Sequence, residues 1–203
     1  MMRRQIRFRI VLAAVAAAAL CRLPAAAQSA ASPSNAEAKV ARRDGSHDFD
    51  PLVGTWKYHL KRLLNPLTGS TKWVELDGTG VCVKVWESGA NLDKFTMDGS
   101  SGHLEGLTLR LYRPESHQWT LYWANRKDGV LVEPQIGEFK DGRGEFYAQD
   151  TLNGKSILIR FVWTNMATVP HFEQAFSQDG GKTWEVNWIT DQTRITDTTD
   201  PKR

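Results

Sequence analysis

The chain of 203 residues contains two cysteines, Cys21 and Cys82, and the first lies in a segment with the character of a cleaved leader. A chain cut beyond Cys21 keeps one thiol, so no intramolecular disulfide can staple the fold. Metal-ligand spacing is missing as well. His47, His59, His103, His117 and His171 are scattered, with no pair at helical or hairpin spacing and no cysteine beside them, so no metal is expected. There is no Gly-rich phosphate loop, no dinucleotide fingerprint and no Ser/His/Asp order. These absences remove the common nucleotide-dependent and nucleophilic enzyme classes, and no cofactor is expected. Long apolar runs are short supply too: Ile10 to Leu20 is about half of what crosses a bilayer.

What is present begins with "MMRRQIRFRI", a basic segment before that apolar run, followed by "LPAAAQ" with small residues at Ala25 and Ala27. The pattern predicts a signal peptide over 1–27 and an exported protein, periplasmic or secreted, with no membrane span after cleavage. Export changes the charge balance. The formal +3 includes Arg3, Arg4, Arg7, Arg9 and Arg22, and without those five the 26 basic residues fall to 21 against 23 acidic ones. Nucleic acid therefore has no electrostatic claim on the mature chain. Residues 28–46, rich in Ala, Ser, Pro and charge, predict a disordered leader, and 197–203 a flexible tail. One domain remains, 47–196. Nothing in the sequence specifies its oligomeric state.

Within that domain turn signals recur every ten to twelve residues, among them "DGTG", "DGSSG", "NRKDG", "KDGRG" and "LNGK". Between them lie short β-branched and aromatic segments such as "LTLRLY", "WTLYW", "SILIRFVW" and "WEVNWI". The prediction is an all-β protein, an antiparallel up-and-down meander of about ten strands. Alternation assigns Leu107, Leu109 and Leu111 to the inner face, with Trp119, Leu121 and Trp123, then Ile157, Ile159, Phe161 and Trp163, then Phe172 and Phe176, then Trp184, Val186 and Trp188. Thr108, Arg110, Thr120, Arg160, Glu173, Glu185 and Asn187 fall on the solvent side. One apolar face on a uniform meander favours closure into a barrel.

The stretch "SQDGGKTW", Ser177 to Trp184, matches the Asp box of sialidases and other β-propellers. A propeller needs about 40–45 residues per blade, which leaves this domain too short, and only one such box occurs. The stretch reads as a hairpin turn in which "DGG" supplies residues free to take positive φ.

At the start of the domain, Gly54-Thr55-Trp56-Lys57 resembles the first-strand signature of calycins, the superfamily of lipocalins and fatty-acid-binding proteins. "DFDPLVGTW", "LTLRLYRPESHQWTLYW", "GEFYAQDT" and "EQAFSQDGGKTWEVNW" are similar to exported bacterial proteins of a calycin-like domain-of-unknown-function family, over nearly all of 48–194. The resemblance implies a calycin-like barrel in which Trp56 closes one end and Arg194 lies over it. It carries no activity across. It also leaves out two calycin features, because "LNPLTGS" is too short for a helical lid and the lipocalin disulfide is missing. A haem-binding variant would need one inward His, and His59 and His171 fall on the polar parity.

A barrel of about ten strands leaves room for one small molecule. The predicted ligand-binding residues are Trp73, Glu75, Trp119, Trp123, Phe161, Trp163, Gln174 and Trp188, with Glu75 and Gln174 as polar anchors among aromatic walls. The expected function is binding of a small apolar or amphipathic molecule. The alternatives are an isomerase, cyclase or hydrolase using Glu75 as acid or base, and a solid-cored interaction domain. Arg110 and Tyr112 have the R-x-Y spacing of carboxylate-binding barrels but are assigned to the outer face; a reversed face would instead bring Arg110, Tyr122, Arg160 and Glu173 to the site. Cys82 reads as a buried, inert thiol, and Phe49 in "SHDFD" as part of a segment plugging one barrel end.

Overall fold

The structure is a computed structural model and describes residues 43–195. A single 3-10 turn, Asp50–Leu52, leads into ten strands: β1 Gly54–Leu63, β2 Trp73–Lys84, β3 Ala90–Gly99, β4 Gly102–Arg113, β5 Gln118–Asn125, β6 Gln135–Lys140, β7 Arg143–Leu152, β8 Lys155–Thr164, β9 His171–Ser177 and β10 Glu185–Arg194. Each pairs antiparallel with its neighbours in sequence, and β10 returns to β1. The result is a closed, calycin-like up-and-down barrel. Tight hairpins make this connectivity possible: Asp141-Gly142 and Asn153-Gly154 both hold positive φ, the two-residue geometry that joins β6 to β7 and β7 to β8. Among the described residues no helix is long and apolar enough to cross a membrane.

Closure is fixed where β1 meets β10. Trp56 stands opposite Arg194, whose guanidinium lies 4.1 Å from the indole ring centre and donates to the carbonyls of Val53 and Pro51 at 2.9 and 2.7 Å. The Trp56 indole N–H in turn donates to Leu52 O at 2.6 Å. Phe49 plugs this part of the interior, fully buried and edge-on to Trp119 at 5.0 Å and to Trp163 at 5.8 Å.

The plug extends further back than composition predicts. Residues 43–46, read above as leader, pack onto the barrel: Gly45 N donates to the Tyr112 hydroxyl at 3.0 Å, and the Trp119 indole donates to Gly45 O at 2.9 Å. The segment looks featureless in sequence, but the Gly45 backbone bonds the half-buried Tyr112 and the buried Trp119. The predicted signal peptide, the rest of the leader and the tail 197–203 lie outside the described residues.

The Ser177–Trp184 turn closes on itself. Asp179 accepts from the Ser177 hydroxyl, the Thr183 amide and the Thr183 hydroxyl at 2.8, 2.9 and 2.7 Å, and Trp184 donates to Gly181 O at 3.0 Å. These bonds, led by the Thr183 hydroxyl, hold the Asp179 carboxyl down at about 2. Both oxygens of the Asp179 carboxylate are used to fold the hairpin.

Three strands depart from the predicted faces. On β4, Leu107, Leu109 and Leu111 point outward and Thr108 and Arg110 inward. Leu107 and Leu109 line an outer groove together with Val130 and Leu131 of the 126–134 connection, in which Val132 N donates to Trp123 O. On β2, Val74 and Leu76 enter the core, leaving Trp73 41% exposed and Glu75 on the outer face. On β10 a bulge between Val186 and Trp188 inserts one residue, which reverses the parity that strict alternation would carry through. Trp188 faces the interior as predicted. Trp184 packs instead on Tyr147 and Arg160, while Glu185 accepts from Leu67 N at 2.6 Å and Asn187 is buried.

Candidate functional site

A cavity of about 170 Å³ occupies the barrel interior beside the Phe49 plug. Its walls come from strands on opposite sides of the closed sheet: Phe95 on β3, Trp123 on β5, Phe161 and Trp163 on β8, Phe172 and Gln174 on β9, and Trp188 on β10. Each follows from alternation on its own strand, since residues two apart share a face. Trp123 stacks on Phe95 at 5.6 Å and meets Trp188 edge-on at 6.2 Å. Gly106 makes that arrangement possible, because a Cβ there would lie 2.1 Å from the Trp123 ring. Phe172 braces Phe161 and Trp163 at 5.0 and 4.9 Å. Phe95, Trp123, Gln174 and Trp188 are half-buried, whereas Trp163, Arg110 and Gln192 are buried.

Of the polar part of the wall, Gln174 was expected and Arg110 only for a reversed β4, whereas Asp93 and Tyr58 were not expected. Asp93 on β3, Arg110 on β4 and Tyr58 on β1 meet inside the barrel, with Arg110 only 1% exposed. Arg110 Nη2 lies 3.3 Å from Asp93 Oδ2, and Arg110 Nη1 donates to Asn91 Oδ1 at 3.0 Å. The Tyr58 hydroxyl donates to the other Asp93 oxygen at 2.8 Å. The guanidinium also lies 5.0 Å from the Phe49 ring centre and 5.2 Å from that of Trp163. Burial, and secondarily the charge of Asp93, pushes the Tyr58 hydroxyl well above its ordinary value, so it stays protonated as a donor. A buried charge survives only when paired and hydrogen-bonded, and this cluster meets both conditions.

Three buried polar atoms of the wall have no partner: Arg110 Nε, Trp163 Nε1 and Gln192 Oε1. Gln174 uses its amide nitrogen on Asn187 Oδ1 at 2.7 Å, and Trp188 donates to Thr190 Oγ1 at 2.9 Å. The three unpartnered atoms belong to residues of the cavity wall but are themselves packed away from its open space.

The predicted residues divide accordingly. Trp123, Phe161, Trp163, Gln174 and Trp188 are brought together around the cavity. Trp119 is inward and buried, but it packs on the plug through Phe49 and Gly45 instead of lining the space. Trp73 and Glu75 are not part of the site. Glu75 is 56% exposed and pairs with Lys61 Nζ at 3.3 Å across the outer face, which removes the carboxylate on which an acid–base enzyme was expected to rest. Reversing β4 brings in Arg110 alone from the second set of candidates. Arg160 covers Trp184 outside, Glu173 bonds His171, and Tyr122 stands opposite outward Leu109. Asp93 and Gln192 were missed; the β3 alternation Asn91, Asp93, Phe95, Met97 holds a signal in its two apolar members, Phe95 and Met97, which share a face with Asp93.

Cys82 is buried, and burial raises its thiol to about 11. Among the described residues no group of three or more His, Cys, Asp or Glu could hold a metal ion.

No protein-family model matches the sequence, and no curated protein matches it. Among solved structures the chain is similar to the S-type phycobiliprotein lyase CPES from Guillardia theta. The identity is 12% and the TM-score 0.53, over 76% of this chain and 94% of that one. At this identity the likeness is one of fold.

Proposed function

We propose that this chain is an exported binding barrel that takes up one small apolar or amphipathic molecule between Trp123, Phe161, Trp163, Gln174 and Trp188. The observation that carries the reading is the aromatic-walled cavity inside the barrel, with Gln174 among its polar lining residues. Apolar walls supply affinity through burial and stacking, while a few polar atoms fix orientation. The solved neighbour is named a phycobiliprotein lyase, and the fold that it shares supports a binding barrel without specifying the ligand. The cavity favours this reading over a solid-cored interaction domain, and the outward Glu75 disfavours the acid–base enzyme. Export rests on the basic, apolar and small-residue order of 1–27.

The test is expression of the full chain in an exporting bacterial host, followed by native mass spectrometry of the periplasmic fraction before and after organic extraction. A discrete extractable mass is expected, with an N-terminus at Gln28. A clean apo mass, together with no thermal shift from a panel of small aromatics, would overturn the binding reading. Retention of residues 1–27 in a cytoplasmic fraction would overturn export.

A further inference from the structure

We propose that the cavity takes an amphipathic monoanion tail first, its apolar part among the aromatic walls and its anionic headgroup at the barrel mouth against Arg62. The proposal rests on the binding reading above and gives that ligand a charge and a direction.

The direction follows from which end of the interior is filled. At the plugged end Phe49 and Trp56 are fully buried, and the Arg110 guanidinium lies between the rings of Phe49 and Trp163. The cavity nevertheless reaches solvent, because Phe95, Thr108, Trp123, Gln174 and Trp188 line it and keep partial exposure. Away from the plug, the next inward residues of the same strands form a second recess. Arg62 stands directly opposite Trp188, Leu104 stands opposite Met97, and Asn125 follows Trp123 by two positions on β5. Arg62, Leu104 and Asn125 all line that recess, with Leu76 between them, so it continues the cavity wall toward the mouth.

The charge follows from which cation is free. Arg110 is committed to Asp93 and Asn91, and Tyr112 bonds Gly45 and His117, so the R-x-Y pair makes no deep carboxylate site in this chain. Arg62 differs on both counts. It continues the inward alternation of Trp56, Tyr58 and Leu60, it is half-buried, and it has no hydrogen-bond or ion-pair partner among the described residues. The carboxylates of the recess are already taken: Glu105 accepts from Arg126 at 3.0 and 2.9 Å, and Asp128 accepts from the Asn125 amide at 2.7 Å. Arg62 and the exposed Lys127 are left as positive charge without a counter-ion. An anionic head meets them at a partly wet mouth, where it keeps some of its water, whereas an ammonium head finds like charge and no free carboxylate. Entry in the reverse sense would carry the anion toward Asp93, whose charge Arg110 already balances.

The full chain is titrated at pH 7 with phenylbutyrate, phenylbutanol and phenylbutylammonium, which share a tail and differ in head charge, following tryptophan fluorescence and heat of binding. Phenylbutyrate is expected to bind at least about threefold more tightly than the alcohol, and the ammonium more weakly than either. Raising NaCl from about 20 mM to about 300 mM should bring the acid toward the alcohol and leave the alcohol unchanged. In Arg62→Gln the acid-to-alcohol ratio should fall to about one, while Arg62→Lys should keep most of the preference. An acid that binds no more tightly than the alcohol, or a preference that persists in Arg62→Gln, overturns the proposal and leaves the binding barrel standing. If Arg62→Gln fails to fold, the salt series decides, since a preference that salt does not move overturns the proposal. Failure of all three probes overturns the proposal and the binding reading together.

Discussion

Removing the Asp93 carboxylate tests whether the interior of this barrel is held by a paired charge. In Asp93→Ala the Arg110 guanidinium loses its ion-pair partner at 3.3 Å and the Tyr58 hydroxyl loses its acceptor at 2.8 Å, both at buried positions. Stripping one member from a buried pair costs about 3–5 kcal/mol. In a domain of this size 1 kcal/mol moves the melting temperature by about 2–4 °C, so a fall of roughly 6–20 °C is expected. Removing both charges, in Asp93→Ala with Arg110→Met, leaves no stranded ion and should cost much less than the sum of the two single changes. The coupling in the double-mutant cycle should then be at least about 2 kcal/mol. Urea unfolding followed by circular dichroism and tryptophan fluorescence gives all four midpoints. The exposed Lys61–Glu75 pair provides the contrast, since Glu75→Ala should change stability by no more than about 0.5 kcal/mol. A cost below about 1 kcal/mol for Asp93→Ala, or simple additivity in the double variant, would refute the account of the cluster as one interdependent unit.

Phe49→Ala empties the centre of the plug between Trp119, Phe139 and Trp163 and should destabilise by about 3–5 kcal/mol; a change under 1 kcal/mol in urea unfolding would mean that the plug does not support the barrel. At His171 burial acts to lower the pKa, but bonds to Asp191 and Glu173 outweigh it and leave the ring raised above its ordinary 6.5. Its stabilising contribution is therefore complete below about pH 6.5 and lost as pH rises through the higher folded value. Ring-proton NMR should show a midpoint above 6.5 that falls in Asp191→Asn, and a midpoint at or below 6.5 in the parent would contradict the geometry. Cys82, with its thiol raised to about 11, should resist a disulfide reagent at pH 8 until the chain unfolds; rapid labelling of the native protein would show that the interior opens readily.

The strands whose inner faces were legible are those on which aromatic mass settles the question. Trp119, Leu121 and Trp123 on β5 and the Ile157 to Trp163 series on β8 leave no other side that could stay wet. On β4 alternation gives two sets of residues without saying which is inside. Three leucines suggest the core, yet the interior there is polar, and Arg110 is inside because Asp93 on the adjacent strand accepts its charge. That pairing joins residues on separate strands and cannot be read from β4 alone. On β2 the choice between Trp73 with Glu75 and Val74 with Leu76 was open by parity. The glycines could have decided it: Gly78 and Gly80 share parity with Leu76, and a Cβ on Gly80 would lie 2.7 Å from the Tyr58 ring, so this is the crowded side. On β10 the extra residue between Val186 and Trp188 breaks the count of two, and no local composition announces it. The candidate site was legible in its aromatic half for the same reason that β5 and β8 were. Its charged half depends on contacts between strands distant in sequence.

Because β10 completes the ring by returning to β1, the earliest strand to be synthesised waits for the latest. Until Glu185–Arg194 has emerged, β1 and β9 are both open edges and the aromatic interior has no complete enclosure. Sheet pairings that span nearly a whole domain form slowly, and partial sheets of this kind are the species that stick to one another. A chain ending before β10 is thus not a slightly smaller barrel but an open sheet with two adhesive margins, and holding it apart from its neighbours falls to whatever accompanies the nascent chain.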